Sequence, residues 1–303
     1  MTEVDDGPTI SVVIPTIERP EVLDECLVHL ERQDRPPEEV IVVDASAGDE
    51  TSEVVTRHRG VRYLRNGSGL GSLTESRQIG LDAAFGDVVA FLDDDAFASA
   101  GWCAALRRAY GEPDVGGVGG RVRSPNLAPP PPDVPVGRLY EDGRATGWFD
   151  ADVSSVVEVD HLMGANMSYR SCVLHEIGGV PQLVGGRSNH HEDLLVSLTV
   201  RRAGYRLLFA PDASVLHIGA PQPVGRRFDL GYHYWSIRNY LYVLGRVYGP
   251  DAPIVRRAAR ALAVDQARSS SRAVAGAAAR LAVTIGGLAA GLRSARAASR
   301  SEG

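Results

Sequence analysis

The chain has 303 residues, 44% apolar and 23% charged, with a formal net charge of -6. That length suits one large α/β domain or one domain with an extension, and it is ample for a buried core. The acidic balance argues against bulk nucleic-acid binding. All 32 basic residues are arginine, which reads as composition bias and not as chemistry. The three cysteines, Cys26, Cys103 and Cys172, are far apart and form no CxxC pair. Neither a zinc site nor a disulfide framework is expected, which fits a reducing cytoplasm. The first eight residues lack the basic start and apolar run of a signal peptide.

The predicted elements alternate through the first half. Residues 10–15 read as a buried strand, and a helix follows over 20–33 with Leu23, Leu27 and Leu30 on one face. Residues 40–44 form a second strand, 49–58 a helix, 61–64 a strand and 72–85 a helix. The apolar run 88–92 is another strand, and it leads straight into Asp93, Asp94 and Asp95. Strands alternating with helices predict a mostly parallel central sheet covered on both faces.

The rhythm weakens after Val122. The proline-rich stretch 124–136 reads as a stiff loop joining a nucleotide-sugar-binding half (1–123) to an acceptor-binding half (124–227). Residues 138–149 suggest a hairpin around Asp142-Gly143. Helices are expected over 168–177 and 193–203, and strands over 205–209 and 214–217. Residues 228–303 read as a helical extension. In it Arg256/Arg260 and Arg268/Arg272 share helix faces, and Leu281, Ile285, Leu288 and Leu292 make a narrow apolar stripe. The stretch 273–292 is a poor transmembrane candidate, since it is mostly Ala and Gly and is interrupted by Arg280. Peripheral contact with an anionic membrane, or a homo-oligomer contact, would suit such a tail as well as packing on the domain does.

In an open parallel sheet, ligands bind beyond the carboxyl ends of the strands. Three adjacent carboxylates there repel one another, and a hard divalent cation such as Mn²⁺ or Mg²⁺ resolves that conflict. An acidic turn capping a helix near Ser99 is the plain alternative. Asp44 ends the second strand on the same side, where it could accept hydrogen bonds from a base or ribose. The Gly67, Gly69, Gly71 loop precedes a helix carrying Arg77, which could approach phosphates. No dinucleotide fingerprint follows the first strand, where Pro15-Thr16 stands, and no phosphate loop occurs. Glu192-Asp193 at a helix start complements the helix dipole, but it could equally supply a general base from a separate segment. His217 ends the last expected strand and is a candidate metal ligand.

Taken in order, these residues resemble the family 2 glycosyltransferases of the GT-A fold. The resemblance rests on Ser11-Val12-Val13-Ile14-Pro15-Thr16, Val42-Val43-Asp44 and Ser76-Arg77-Gln78-Ile79-Gly80. It continues through Phe91-Leu92-Asp93-Asp94-Asp95, Gly164-Ala165-Asn166-Met167, Gly178-Gly179, Glu192-Asp193, Gly204-Tyr205 and His217, so that it covers about residues 9–245. It implies a nucleotide-diphosphate sugar donor, held by Pro15, Thr16, Glu18, Asp44, Arg77, Asp93 and Asp94. It implies Mn²⁺ or Mg²⁺ at Asp95, Asp93 and His217, and Asp193 as catalytic base with Glu192 in support. Gly164, Ala165, Asn166 and Met167 would line the sugar and acceptor pocket, and the acceptor would be a glycan or a lipid-linked hydroxyl. Inversion of the anomeric carbon is likewise implied. Many members carry an Asp two residues after the Glu-Asp pair and an Arg four further on; here Leu195 and Thr199 stand there. The QxxRW motif of processive members is missing, so transfer of one or a few sugars is expected. A sugar nucleotidylyltransferase or a non-catalytic scaffold on the same fold are the alternatives.

Overall fold

The computed structural model describes residues 7–125, 129–131, 133–183, 189–220, 229–270 and 277–301. Four strands of the first half lie side by side and parallel in the order β3 (Val61–Arg65), β2 (Glu39–Asp44), β1 (Ile10–Thr16), β4 (Val88–Leu92). Every residue of β1 and β4 is buried, as the unbroken apolar runs require of strands covered on both faces. Helices α1 (Pro20–Glu31), α2 (Glu50–Val55) and α3 (Leu73–Ala83) make the crossovers. α1 opens on a proline, whose fixed φ suits the first helical position. α3 lies so close to β1 that a Cβ at Gly80 would overlap the Val13 side chain.

Beyond β4 the sheet continues through β8 (Asn166–Arg170), β6 (Val115–Arg123), β9 (Arg206–His217) and β5 (Ala96–Ala98), and β7 (Val157–Val159) also pairs with β9. β8, β5 and β7 oppose the other strands, so six of the nine run one way. Helices α4 (Trp102–Ala109), α5 (Ser171–Glu176) and α6 (Glu192–Arg202) pack around this half.

Three expectations change. Residues 168–170 are not helical; they finish β8, wedged between β4 and β6, and α5 starts only at Ser171. The two strands expected over 205–209 and 214–217 are one, β9. Its pairing with β6 shifts register between Ala210 and Val215, and Pro211, which has no N–H to donate, falls in that bulge. The hairpin at 138–149 reduces to a tight turn with one bridge, Leu139 to Ala145. Of the expected loop 124–136, residues 126–128 and 132 lie outside the described residues, as do the proposed partner Arg272 and the first residues of the 273–292 stretch.

The extension folds as α7 (Leu230–Tyr248), α8 (Pro253–Ser270) and α9 (Ala277–Ser301). Glycines let α9 settle on α7: Gly287 faces Ile237, Gly291 the Arg238 carbonyl and Leu241, and Gly245 of α7 meets Ala295. The expected apolar stripe is therefore split. Leu288 and Leu292 join a core with Leu194, Leu195, Leu198 and Leu241, whereas Leu281 and Ile285 are exposed. No described helix is long and apolar enough to cross a membrane.

Candidate active site

The parallel ladders put Thr16, Asp44 and Leu92, with Asp93 after it, at one edge of the sheet. His217, the last residue of β9, and Gly164-Ala165, just before the reversed β8, reach the same edge. This is the crevice that sheet topology predicts for a ligand.

At one end, Asp44 is fully buried and already engaged. Its Oδ1 accepts from the Ser46 N–H at 2.8 Å and its Oδ2 from the Tyr63 hydroxyl at 2.8 Å. Burial and that carboxylate push the Tyr63 phenol up to about 12. Glu18 sits exposed in a left-handed conformation with φ 53°. Its carboxylate accepts from the Ala47 N–H at 2.8 Å, and its own N–H donates to Ser46 Oγ at 2.7 Å. The loops after β1 and β2 are thus clipped together. Pro15 lies inside β1 opposite Val43 and offers only backbone.

The acidic triplet divides three ways. Asp94 is enclosed: Thr16 Oγ1 donates to it at 2.7 Å and Arg19 pairs with it at 2.8 Å. Burial pushes its carboxyl up to about 7, against the pull of Arg19 and Thr16. It therefore braces the turn and does not face the crevice. Asp95 accepts from the Ala220 N–H at 2.8 Å, from Arg19 at 3.3 Å and from His217 Nε2 at 3.1 Å. Although burial opposes them, these partners hold its carboxyl below the usual range. Asp93 is the most open of the three, with its side chain 29% exposed. Ligand atoms of Asp93, Asp95 and His217 lie within 4.8 Å of one another, so these two carboxylates and an imidazole could hold a metal ion.

Arg19 did not stand out in the sequence, yet it neutralises two of the three aspartates. Its only signal is a lone cation three residues after the first strand.

Across the crevice, α6 begins with Glu192 and Asp193. Asp193 is half-buried; its Oδ2 accepts from the Gly164 N–H at 3.0 Å and its Oδ1 from the Leu194 N–H at 2.8 Å. Glu192 is 5% exposed, pairs with Arg77, and is pushed by burial up to about 7. Arg77 was expected near phosphates. Instead it is 1% exposed and spans the two flanks, reaching Asp93 Oδ1 at 3.2 Å, the Gly164 carbonyl at 3.0 Å and Glu192. A Cβ on Gly164 would stand 2.9 Å from Glu192 Oε1 and 3.3 Å from Arg77 Nη2, which accounts for glycine there.

The pocket expected from residues 164–167 narrows to its first positions. Asn166 points inward, accepting from Trp102 Nε1 at 2.9 Å and donating to the Ala213 carbonyl at 2.8 Å. Met167 is core, touched by the Tyr169 hydroxyl. Ala165 is buried and bonds Asp93 through its carbonyl at 3.5 Å.

Residues 11–155 match the family model described as Glycosyl transferase family 2. Among curated proteins, a glucosyl-dolichyl phosphate glucuronosyltransferase of Haloferax volcanii is 29% identical over 48% of this chain and 47% of its own. A GalNAc(5)-diNAcBac-PP-undecaprenol beta-1,3-glucosyltransferase of Campylobacter jejuni is 33% identical over 29% of this chain and 30% of its own. The chain spans less than half the length of these relatives. Among solved structures, a mannosyltransferase from Pyrobaculum calidifontis in complex with GDP-Man and Mn²⁺ superposes with a TM-score of 0.55 at 18% identity, covering 96% of this chain and 86% of that one. Staphylococcus aureus TarS 1-349 in complex with UDP-GlcNAc gives 0.59 at 18% identity, covering 82% and 69%.

Proposed function

We propose, from the premise that the chain is a family 2 glycosyltransferase with the GT-A fold, that it moves single sugars from a nucleoside-diphosphate sugar to a hydroxyl of a lipid-linked glycan, inverting the anomeric carbon. One observation carries the site reading: an acidic cluster fit for a divalent ion, Asp93, Asp95 and His217, faces a separate acid, Asp193, across Gly164. A bound Mn²⁺ or Mg²⁺ would neutralise the charge that gathers on the departing diphosphate. Asp193 is anchored by two backbone N–H groups and keeps a lone pair on each oxygen for an incoming hydroxyl. As the acceptor oxygen bonds the anomeric carbon, the bond from that carbon to the diphosphate breaks. The hydroxyl proton passes to the Asp193 carboxylate, on the side away from the leaving group. Arg77 holds Asp93 and Glu192 at fixed separation while this happens. The lipid-linked acceptor is inferred from the dolichyl and undecaprenol substrates in the relatives' names.

A thermal-shift screen of UDP-, GDP- and dTDP-sugars, with and without Mn²⁺, tests the metal and donor parts. One donor should raise the melting temperature only when Mn²⁺ is present, through binding to the folded state alone. Asp95→Asn should weaken that metal-dependent shift by about tenfold in ligand concentration. A shift of the same size without any metal would overturn the reading.

A further inference from the structure

The two flanks of the crevice differ in what holds them. The turn that presents Glu192 and Asp193 belongs to no strand. It turns at His191, a non-glycine residue in the left-handed region with φ 66°. Such a residue carries a conformational cost and persists only where its surroundings fix it. Within the turn, Glu192 N–H donates to the Asn189 carbonyl at 3.1 Å and Leu195 N–H to the His191 carbonyl at 3.1 Å.

Asn189 Nδ2 donates to the Gly71 carbonyl at 3.3 Å, and Arg77 and the Gly164 N–H hold Glu192 and Asp193 themselves. A further set of restraints on the turn comes from α7. Asn239, fully buried, donates through Nδ2 to the His190 carbonyl at 3.1 Å. Its amide is oriented by Arg238, which donates to Asn239 Oδ1 at 2.8 Å. Arg238 in turn reaches Ser294 Oγ of α9 at 2.9 Å. Ser236 Oγ meets His191 Nε2 at 3.0 Å. The two histidine rings are boxed in by aromatics of the same helix, His190 against Tyr232 at 4.1 Å and His191 against Tyr240 at 5.2 Å. Burial keeps the His191 ring neutral, down to about 4, so a hydrogen bond and not a charge joins it to Ser236.

We infer that Ser236 and Asn239 are positioning residues for the base flank: α7 clasps the left-handed His190-His191 turn and so aims Asp193 across Gly164. The effect on turnover rests on the reading of Asp193 as base; the clasp itself does not. Both residues contact the turn and act through it.

Hydrogen–deuterium exchange on the full chain separates these two levels. In Asn239→Ala, amides of residues 192–195 should exchange about fivefold faster, the scale set by one lost buried hydrogen bond, while β1 and β4 peptides stay unchanged. Ser236→Ala should loosen the same amides, and Ser236→Thr, which keeps the hydroxyl, should restore them. Turnover is followed as Mn²⁺-dependent release of nucleoside diphosphate from UDP-glucose, UDP-GlcNAc or GDP-mannose, whichever the enzyme uses. In the alanine variants kcat should fall about tenfold with the donor KM unchanged, as expected when a group is misplaced and binding is intact. Unchanged exchange over 192–195 in both variants, or loosening spread equally over the sheet, overturns the clasp. A loosened turn with unchanged turnover leaves the clasp standing and overturns the role of Asp193 instead.

Discussion

On the flank proposed to hold the metal, backbone ladders do the placing: β1 and β4 run in register beneath Thr16 and Asp93, and Ala96 pairs with His217 across β5 and β9. On the flank proposed to carry the base, Asp193 stands at the first turn of a helix whose lead-in is contacted by side chains of α7. One flank thus rests on the cooperative hydrogen bonding of a nine-stranded sheet, whereas the lead-in to the other is held by side-chain contacts from α7. Arg77 spans them, fully buried, with Asp93 on one side and Glu192 on the other. With the roles proposed for the two flanks, the contrast predicts that donor binding and acceptor activation can be disturbed separately.

The sharpest way to break that contrast is Asp193→Asn. It should lower kcat about 10³-fold, within the span assigned to general bases, and leave the Mn²⁺-dependent thermal shift by donor unchanged. Loss of the shift in that variant would show that the flanks are not independent. Next in size is Arg19→Ala, which leaves Asp94 enclosed without its cation. The cost should be about 2 kcal/mol in urea unfolding at pH 8. It should shrink at pH 6, because the Asp94 carboxyl, raised to about 7, then takes up a proton. Equal losses at both pH values would contradict this account of the turn.

The smallest effect concerns Glu192. Its carboxyl is raised from 4.5 to about 7, so the folded state binds a proton that the unfolded chain has released. The stability this contributes is complete below about pH 4.5 and is lost as pH rises through 7. His190 and His191 are held below their ordinary values and tilt the curve the other way, but they are common to both proteins and cancel in a difference. With chelator present, Glu192→Gln should therefore gain about 1 kcal/mol on the parent between pH 5 and pH 8. A difference that stays flat with pH would sink the assignment.

Much of the flank proposed to hold the metal was legible because its strands are continuous apolar runs and its candidate ligands lie at or just after strand ends. Asp93, Asp95 and His217 converge, with ligand atoms within 4.8 Å of one another, although the histidine comes about 120 residues after the two aspartates. β6 was not legible. Its sequence Val-Gly-Gly-Val-Gly-Gly has no side-chain alternation, because glycines make room for Tyr205, Tyr169, Leu162 and the Ala213 carbonyl to approach. Residues 168–170 carry a helix-like pattern that strand pairing on both sides overrides. The separate tasks of Asp93, Asp94 and Asp95 could not be read from three identical letters. Burial and the positions of Thr16 and Arg19 distinguish them. The tail's sequence left packing on the domain, a membrane contact and an oligomer contact all open; its glycines serve close packing of α9 on α7.

That packing has a consequence for synthesis. Chains emerge from the ribosome in order, and early segments fold first. Glu192 and Asp193 leave the exit tunnel well before Gly291 and Ser294, which seat α9 against Arg238 and, through it, Asn239. On the proposed roles, a nascent chain is expected to assemble the sheet and its acidic cluster while the opposite acid is still unaimed, so that a donor site would form before the acceptor side is complete.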